Sequence, residues 1–321
     1  MGRLHARVYS QMPTVELVGV YDANPESADE TAKEYGGVAF KSVEEMIART
    51  VRAVTIAVPT TYHLDIGSKF LEAGIATLIE KPLAPNSNHA RQLVSIAARN
   101  HAVLQVGHIE RFNPAVRSLL ELGIVPGFLE VIRISPLSFR SIDVGVVLDM
   151  MIHDIDIVLQ LARSQIKSID SVGVNVIGEH EDICNARLRF VNGCVANITA
   201  SRLALKTERK LRAFSNDMYV SLDYQKKYGL AVRKGKNLDQ VRDIVAKIKA
   251  GDIQDMSDLN YTDLVDVQEL AIDDVEPLRA ELDAFINSVT TGKPPVVSGE
   301  DGLAAVDVAE KIVAAMTRSP V

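Results

Sequence analysis

Residues 15–22 read VELVGVYD, a nearly continuous apolar run that closes on Asp22. A parallel strand buried on both faces needs such a run, so a strand is expected over 15–21. Upstream, residues 1–12 form an expected short helix with Leu4 and Val8 on one face and Pro13 just beyond its end. Downstream, Asn24-Pro25 starts a helix that runs to Tyr35 and stops at Gly36-Gly37. Ser42 and Glu45 make a capping-box pattern for the next helix, and a strand is expected over 53–58. The alternation continues with a helix over 62–73, a strand over 76–79, a helix over 88–99 and a strand over 103–106. Strands separated by helices of about 10 to 15 residues are βαβ units. Residues 1–108 are therefore read as a doubly wound, dinucleotide-binding (Rossmann) domain.

In such a sheet, ligands sit beyond the carboxyl ends of the strands. Here those ends are Asp22, Pro59-Thr60-Thr61, Glu80-Lys81-Pro82 and Gly107-His108. An acidic residue ending the second strand holds ribose hydroxyls and repels the extra phosphate of NADP, so Asp22 favours NAD over NADP. The alternative is that Asp22 only starts a turn. A dinucleotide domain opens with a strand and a G-x-G-x-x-G turn that cradles pyrophosphate at a helix N-terminus. Met1-Gly2 falls where only the last of those glycines belongs, so the first strand is missing from this chain. About 8 to 12 residues would precede it in a natural protein with the complete turn.

After residue 108 the pattern becomes β-rich, around 127–139, 167–178, 183–191, 194–203, 209–215, 217–224 and 227–233. Turn signals such as Asn192-Gly193 and Asn216-Asp217 join these segments. Residues 109–321 are accordingly read as an α+β domain for substrate binding and oligomerisation, built on a large, mostly antiparallel open sheet. The charged stretch 235–270 is expected to be a solvated helix pair. Helices over 276–289 and 300–318 close the chain and are candidates to pack back on the first domain.

Between the first two of those β segments lies LDMMIHDID, residues 148–156. Asp149, His153 and Asp156 stand at i, i+4 and i+7, a spacing that stacks side chains along one helical stripe. The flanking residues are apolar, so a carboxylate and an imidazole are carried into a core or a cleft. A satisfied core pair and a metal site are the competing readings; no further His/Cys cluster lies nearby to complete a metal shell.

Hydrophobic residues make up 47% of the 321 and charged residues 24%, an ordinary globular profile. A net charge of −7 argues against a nucleic-acid partner. No apolar run reaches membrane-spanning length, and the N-terminus lacks the apolar core of a signal peptide. Cys184 and Cys194 flank the Asn192-Gly193 turn and would be near neighbours across a hairpin; two free thiols in a reducing cytoplasm are preferred to a disulfide.

The EKP tripeptide Glu80-Lys81-Pro82, the RF-x-P segment Arg111-Phe112-Asn113-Pro114 and the D-x-x-x-H-x-x-D run from Asp149 resemble, in order, the Gfo/Idh/MocA family of NAD(P)-dependent sugar dehydrogenases. Met1-Gly2-Arg3-Leu4-His5 looks like the end of that family's G-x-G-x-M-G-x-x-H turn. The segments 107–114 and 151–156 are similar to the branch of UDP-N-acetylglucosamine 3-dehydrogenase-like members. The resemblance implies that Lys81 lies beside the nicotinamide and hydrogen-bonds the reacting hydroxyl. It also implies that His153 completes the proton-transfer site and that Asp149 positions the sugar or the Lys81–His153 pair. Gly2, Asp22, Pro59, Thr60, His63, Glu80, Lys81 and His108 are the expected cofactor-binding residues. Arg111, Asn113, Asp149 and His153 are the expected substrate-binding residues, with Arg111 as a structural ion pair the alternative. Glu80 is expected to hold Lys81. Met151 stands where the family often has glycine.

The expected function is hydride transfer from a secondary hydroxyl of a sugar or nucleotide sugar, a UDP-amino sugar favoured, to NAD in a cytoplasmic homodimer or homotetramer. A non-catalytic scaffold that keeps the fold without cofactor use is the rival.

Overall fold

The computed structural model describes residues 1–49, 51–137, 144–177, 179–234, 238–251 and 265–318. It divides into two compact units: one holds the described residues of 1–113 with 147–157 and 275–314, and the other the remaining described residues.

In chain order, the first unit begins with α1 (Gly2–Ser10), β1 (Gly19–Val20), α2 (Pro25–Tyr35), β2 (Val38–Ala39) and α3 (Val43–Ala48). It continues through β3 (Ala53–Ile56), α4 (His63–Glu72), β4 (Ala76–Glu80), α5 (Ser87–Arg99) and β5 (Leu104–Gly107). Side-chain caps fix the helix starts. Asn24 accepts from the Glu26 amide, Ser42 Oγ from the Glu45 amide at 3.1 Å and Asn86 Oδ1 from the His89 amide at 2.8 Å.

The ladders between this unit's described strands are parallel, and the strands fall into two pieces, β1–β2 and β3–β4–β5. The run at 15–21 is a regular strand only at Gly19–Val20, which pairs with β2. Val15 packs instead against the core formed by Val8, Met12, Ala76, Leu78, Leu278, Leu282 and Phe285.

Beyond the first unit's opening run come α6 (Pro114–Glu121), β6 (Phe128–Ile134) and α7 (Ile152–Ala162), the last preceded by a π-helical turn, Val147–Met151. Then follow β7 (Ile166–Val174), β8 (Ile183–Phe190), β9 (Val195–Ser201), β10 (Glu208–Phe214), β11 (Met218–Asp223), β12 (Tyr228–Lys234), α8 (Leu238–Ala250) and β13 (Val265–Glu269). The chain closes with α9 (Pro277–Thr291), α10 (Gly299–Ala314) and β14 (Met316–Arg318). The second unit is a nine-stranded sheet in the order β13-β12-β11-β10-β6-β9-β8-β7-β14. It is antiparallel except for β6–β9 and β7–β14. Buried and half-exposed residues alternate along β6, so one face, with Leu129, Val131 and Arg133, is packed.

Three expectations are corrected. The charged stretch 235–270 holds one described helix, α8, but Val265–Glu269 forms an antiparallel edge strand on β12. Residues 235–237 and 252–264 lie outside the described residues. The final helix ends at Ala314, and Met316–Arg318 pairs in parallel with β7, whose edge backbone groups it satisfies. The cysteines do not face each other: the β8–β9 register sets Cys184 opposite Ala200, and both thiols are free and buried. Burial pushes the Cys184 thiol up to about 12.

Candidate active site

Strand β4 is buried along its whole length and ends on Glu80, delivering Lys81 and Pro82 at its carboxyl end. The turn that follows is clamped by His63, which is 1% exposed at the start of α4. Its Nδ1 lies 3.0 Å from Pro82 O and its Nε2 lies 3.0 Å from Val58 O. Burial pushes this imidazole below its ordinary value, and its ring bridges the ends of β3 and β4.

Lys81 Nζ donates to the Asp149 carbonyl at 2.7 Å and lies 3.5 Å from Asp149 Oδ1. Both side chains keep part of their surface open, 21% for Lys81 and 29% for Asp149. Asp149 sits in the π-helical turn, a wide turn that recurs at functional sites. One turn on, the half-buried His153 ring stands edge-on to His108, with centroids 6.5 Å apart. His108 is fully buried, and neither of its ring nitrogens has a hydrogen-bond partner among the described residues. Burial lowers its pKa, against the pull of Asp156, so it is neutral.

Asp149 and Asp156 therefore do not act as one patch. Asp149 meets Lys81, whereas Asp156 is buried with Arg111, whose Nε and Nη2 each donate to the carboxylate at 2.7 Å. Arg111 also donates to Val296 O at 3.3 Å and lies 3.4 Å from Asp301. Only 7% exposed, Arg111 is an internal ion-pair hub, the arrangement its alternative reading describes. Asn113 Nδ2 donates to Glu110 Oε2 at 3.0 Å. Glu80 does not hold the Lys81 ammonium as expected. Its Oε1 is 2.9 Å from His5 Nε2, and its Oε2 accepts the Lys81 amide at 3.3 Å. Sequence reading missed the pairing of His5 with Glu80, the proximity of Glu281 on α9 and the link from Arg111 to Asp301. Each joins residues at least 75 positions apart, for which local spacing carries no signal.

The remaining cofactor candidates lie at strand ends or a helix start. Gly2 opens α1, whose first turn carries no acidic residue, and a Cβ there would meet nothing closer than Ala57 Cβ at 4.0 Å. Asp22 is exposed and accepts the Asn24 amide at 2.9 Å, leaving its other oxygen for a ligand. Pro59 caps the short 3-10 turn Thr60–Tyr62. A bare helix N-terminus for phosphate, an exposed carboxylate for ribose and a buried, unpartnered imidazole beside Lys81 fit a dinucleotide.

Comparison with known proteins agrees. Residues 1–108 match the oxidoreductase family with an NAD-binding Rossmann fold, and residues 138–218 match the GFO/IDH/MocA C-terminal domain. The chain is 38% identical over 225 residues to UDP-N-acetylglucosamine 3-dehydrogenase of Acidithiobacillus ferrooxidans, covering 70% of this chain and 71% of that one.

The chain belongs to the Gfo/Idh/MocA family of oxidoreductases.

Another Gfo/Idh/MocA relative, inositol 2-dehydrogenase of Rhizobium meliloti, is 25% identical over 332 residues, 98% of this chain and 93% of that one. The solved structure of UDP-N-acetylglucosamine 3-dehydrogenase GnnA from A. ferrooxidans superposes with a TM-score of 0.86 at 30% identity, covering 98% of this chain and 94% of that one. Levoglucosan dehydrogenase, solved with NADH and levoglucosan, shares the fold at a TM-score of 0.81 and 19% identity. As a Gfo/Idh/MocA member the chain is an NAD-dependent sugar dehydrogenase, and the scaffold reading falls. No helix among the described residues is long and apolar enough to cross a membrane.

Proposed function

We propose that this dehydrogenase oxidises a secondary hydroxyl of a nucleotide-linked amino sugar, with UDP-N-acetylglucosamine the first substrate to test. The observation that carries the reading is the Lys81–Asp149 contact of 2.7 Å, partly open, with His153 one turn further along. NAD supplies the hydride acceptor. The chain's own residues handle the hydroxyl and its proton. Lys81 Nζ hydrogen-bonds the hydroxyl oxygen, Asp149 holds Lys81 and orients the sugar, and half-buried His153 receives the proton, an imidazole being suited to that task near neutral pH. Gly2, Asp22, Pro59, Thr60, His63, Glu80, Lys81 and His108 hold or frame the dinucleotide. Residues 1–108 form its domain and 109–321 the substrate and oligomerisation domain. Asn113 is the remaining substrate candidate near the site.

The half-exposed face of the nine-stranded sheet carries Phe128, Phe214 and Tyr219 on neighbouring strands, with ring centroids 5.6 and 4.8 Å apart. This face is the proposed homodimer surface, in a cytoplasmic enzyme. The test is sugar-dependent NADH formation with UDP-N-acetylglucosamine and a panel of free and nucleotide-linked sugars. Turnover of free inositols alone would overturn the nucleotide-sugar assignment.

A further inference from the structure

Behind Lys81, three ionisable side chains from three separate elements meet in the core of the first unit: His5 of α1, Glu80 of β4 and Glu281 of α9. They are 2%, 8% and 0% exposed, and their nitrogen and oxygen atoms lie within 4.8 Å of one another. One water, or a turn of a carboxyl group, spans that distance. His5 Nε2 lies 2.9 Å from Glu80 Oε1, and its Nδ1 has no hydrogen-bond partner among the described residues. Gln105 of β5 gives its amide N–H to the Glu281 carbonyl at 3.2 Å, and its Oε1 is likewise unpartnered. Both Glu281 oxygens are also unpartnered. With Glu281 ionised, two buried carboxylates would share the pocket, and neither Glu281 oxygen has a donor among the described residues. One proton on Glu281 removes both faults. The only other titratable group bearing on Glu281 among the described residues is Tyr9, whose hydroxyl is engaged with Thr55 Oγ1 at 2.8 Å. Glu80 is further faced by Lys81 and His108.

The neighbouring contacts connect this pocket to chemistry. Glu80 Oε2 accepts the Lys81 amide, and the Glu80 carboxyl carbon lies 3.1 Å from where a Cβ on Gly107 would stand, a tight approach that a side chain there would press on. The orientation of the Glu80 carboxylate thus sets the backbone that aims Lys81. We propose that Glu281, as an un-ionised carboxylic acid donating into the His5–Glu80 pair, is a positioning residue for Lys81. This rests on the role given to Lys81 above. Burial and the charge of Glu80 both push the Glu281 carboxyl well above its usual range, in agreement with the geometry.

The test is infrared spectroscopy of the full chain near neutral pH, comparing wild type with Glu281→Gln. A carbonyl band of an un-ionised carboxylic acid, present in wild type and lost in the variant, is expected; no such band overturns the proposal. The folded state keeps a proton that the unfolded chain releases once pH exceeds the ordinary carboxylate value. Wild type should therefore lose thermal stability relative to Glu281→Gln as pH rises above about 4.3. Parallel stability curves overturn the proposal. Glu281→Gln should retain turnover that Glu281→Leu loses by about tenfold in kcat, with KM for the sugar unchanged. Equal kcat in a folded Glu281→Leu overturns the positioning role; if that variant does not fold, the band and the stability curves decide. Elemental analysis finding a stoichiometric divalent ion, lost in Glu281→Gln, overturns the proposal in favour of a metal site. Full activity of Lys81→Ala with the band intact removes the role of Lys81 instead, so the two failures are told apart.

Discussion

Lys81 is held by two oxygens of one residue, the carbonyl and the carboxylate of Asp149, and that fixes the ammonium without burying it. Lys81→Met keeps most of the stem and removes the hydrogen-bonding head. Turnover should fall by about 10²–10⁴-fold, the range for a lost acid–base group, while NAD affinity by calorimetry stays within a few-fold. A variant with near wild-type turnover would remove Lys81 from the chemistry. Arg111 and Asp156 behave oppositely: both are buried, and their two bonds of 2.7 Å are a closed account of charge. Asp156→Asn leaves the guanidinium under-compensated and should cost about 3–5 kcal/mol in urea unfolding. A loss under about 1 kcal/mol, the worth of an exposed pair, would contradict the burial argument. The types and spacing of Lys81, Asp149 and His153 were legible in the sequence. The commitment of Arg111 to Asp156 was not, because an arginine near a motif reads the same whether it meets substrate or core.

At the scale of elements, the π-helical turn Val147–Met151 decides what the helix after it can do. Asp149 lies within this turn and meets Lys81, whereas Asp156, about two helical turns further along, meets Arg111. Helix α10 crosses β5 closely enough that a Cβ on Gly302 would stand 2.6 Å from Val106 Cγ2. Gly302→Val should therefore cost about 1–3 kcal/mol of stability by overpacking, read as a lower Tm. In the second unit, the connection from β7 to β8 is anchored by Asp182, which accepts the amides of Val176 and Ile177 and the Arg202 Nε, each at 2.7 Å. Burial pushes the Asp182 carboxyl up, but these donors outweigh it and hold it below its usual value. Its contribution is then fully present above the usual carboxylate pKa and is lost as pH falls below that value. Asp182→Asn should flatten the acid limb of a stability–pH curve; an unchanged limb would place the acid sensitivity elsewhere.

For the whole molecule, NAD binding should stabilise the folded chain by RT ln(1 + [L]/Kd), about 2.7 kcal/mol at a hundredfold excess over Kd. A thermal shift that does not grow with NAD concentration would count against cofactor binding by this chain. Asp22→Arg should move that shift toward NADP, since it exchanges a ribose acceptor for a phosphate partner. The sheet face carrying Phe128, Phe214 and Tyr219 makes a second, independent expectation: Phe214→Asp should convert a dimer to a monomer in sedimentation.

The sequence by itself determined the βαβ order of the first hundred residues, the switch to a mostly antiparallel sheet and the chemical types at the strand ends. Those follow from hydrophobic period, caps and turns, which act over a few residues. Tertiary structure alone decided that the run at 15–21 is a strand only at Gly19–Val20, that Met316–Arg318 returns as a strand beside β7, and that His5, Glu80 and Glu281 share one buried pocket. Ladder pairing and charge burial are relations between distant segments, and their energy depends on what stands opposite, which local sequence does not encode.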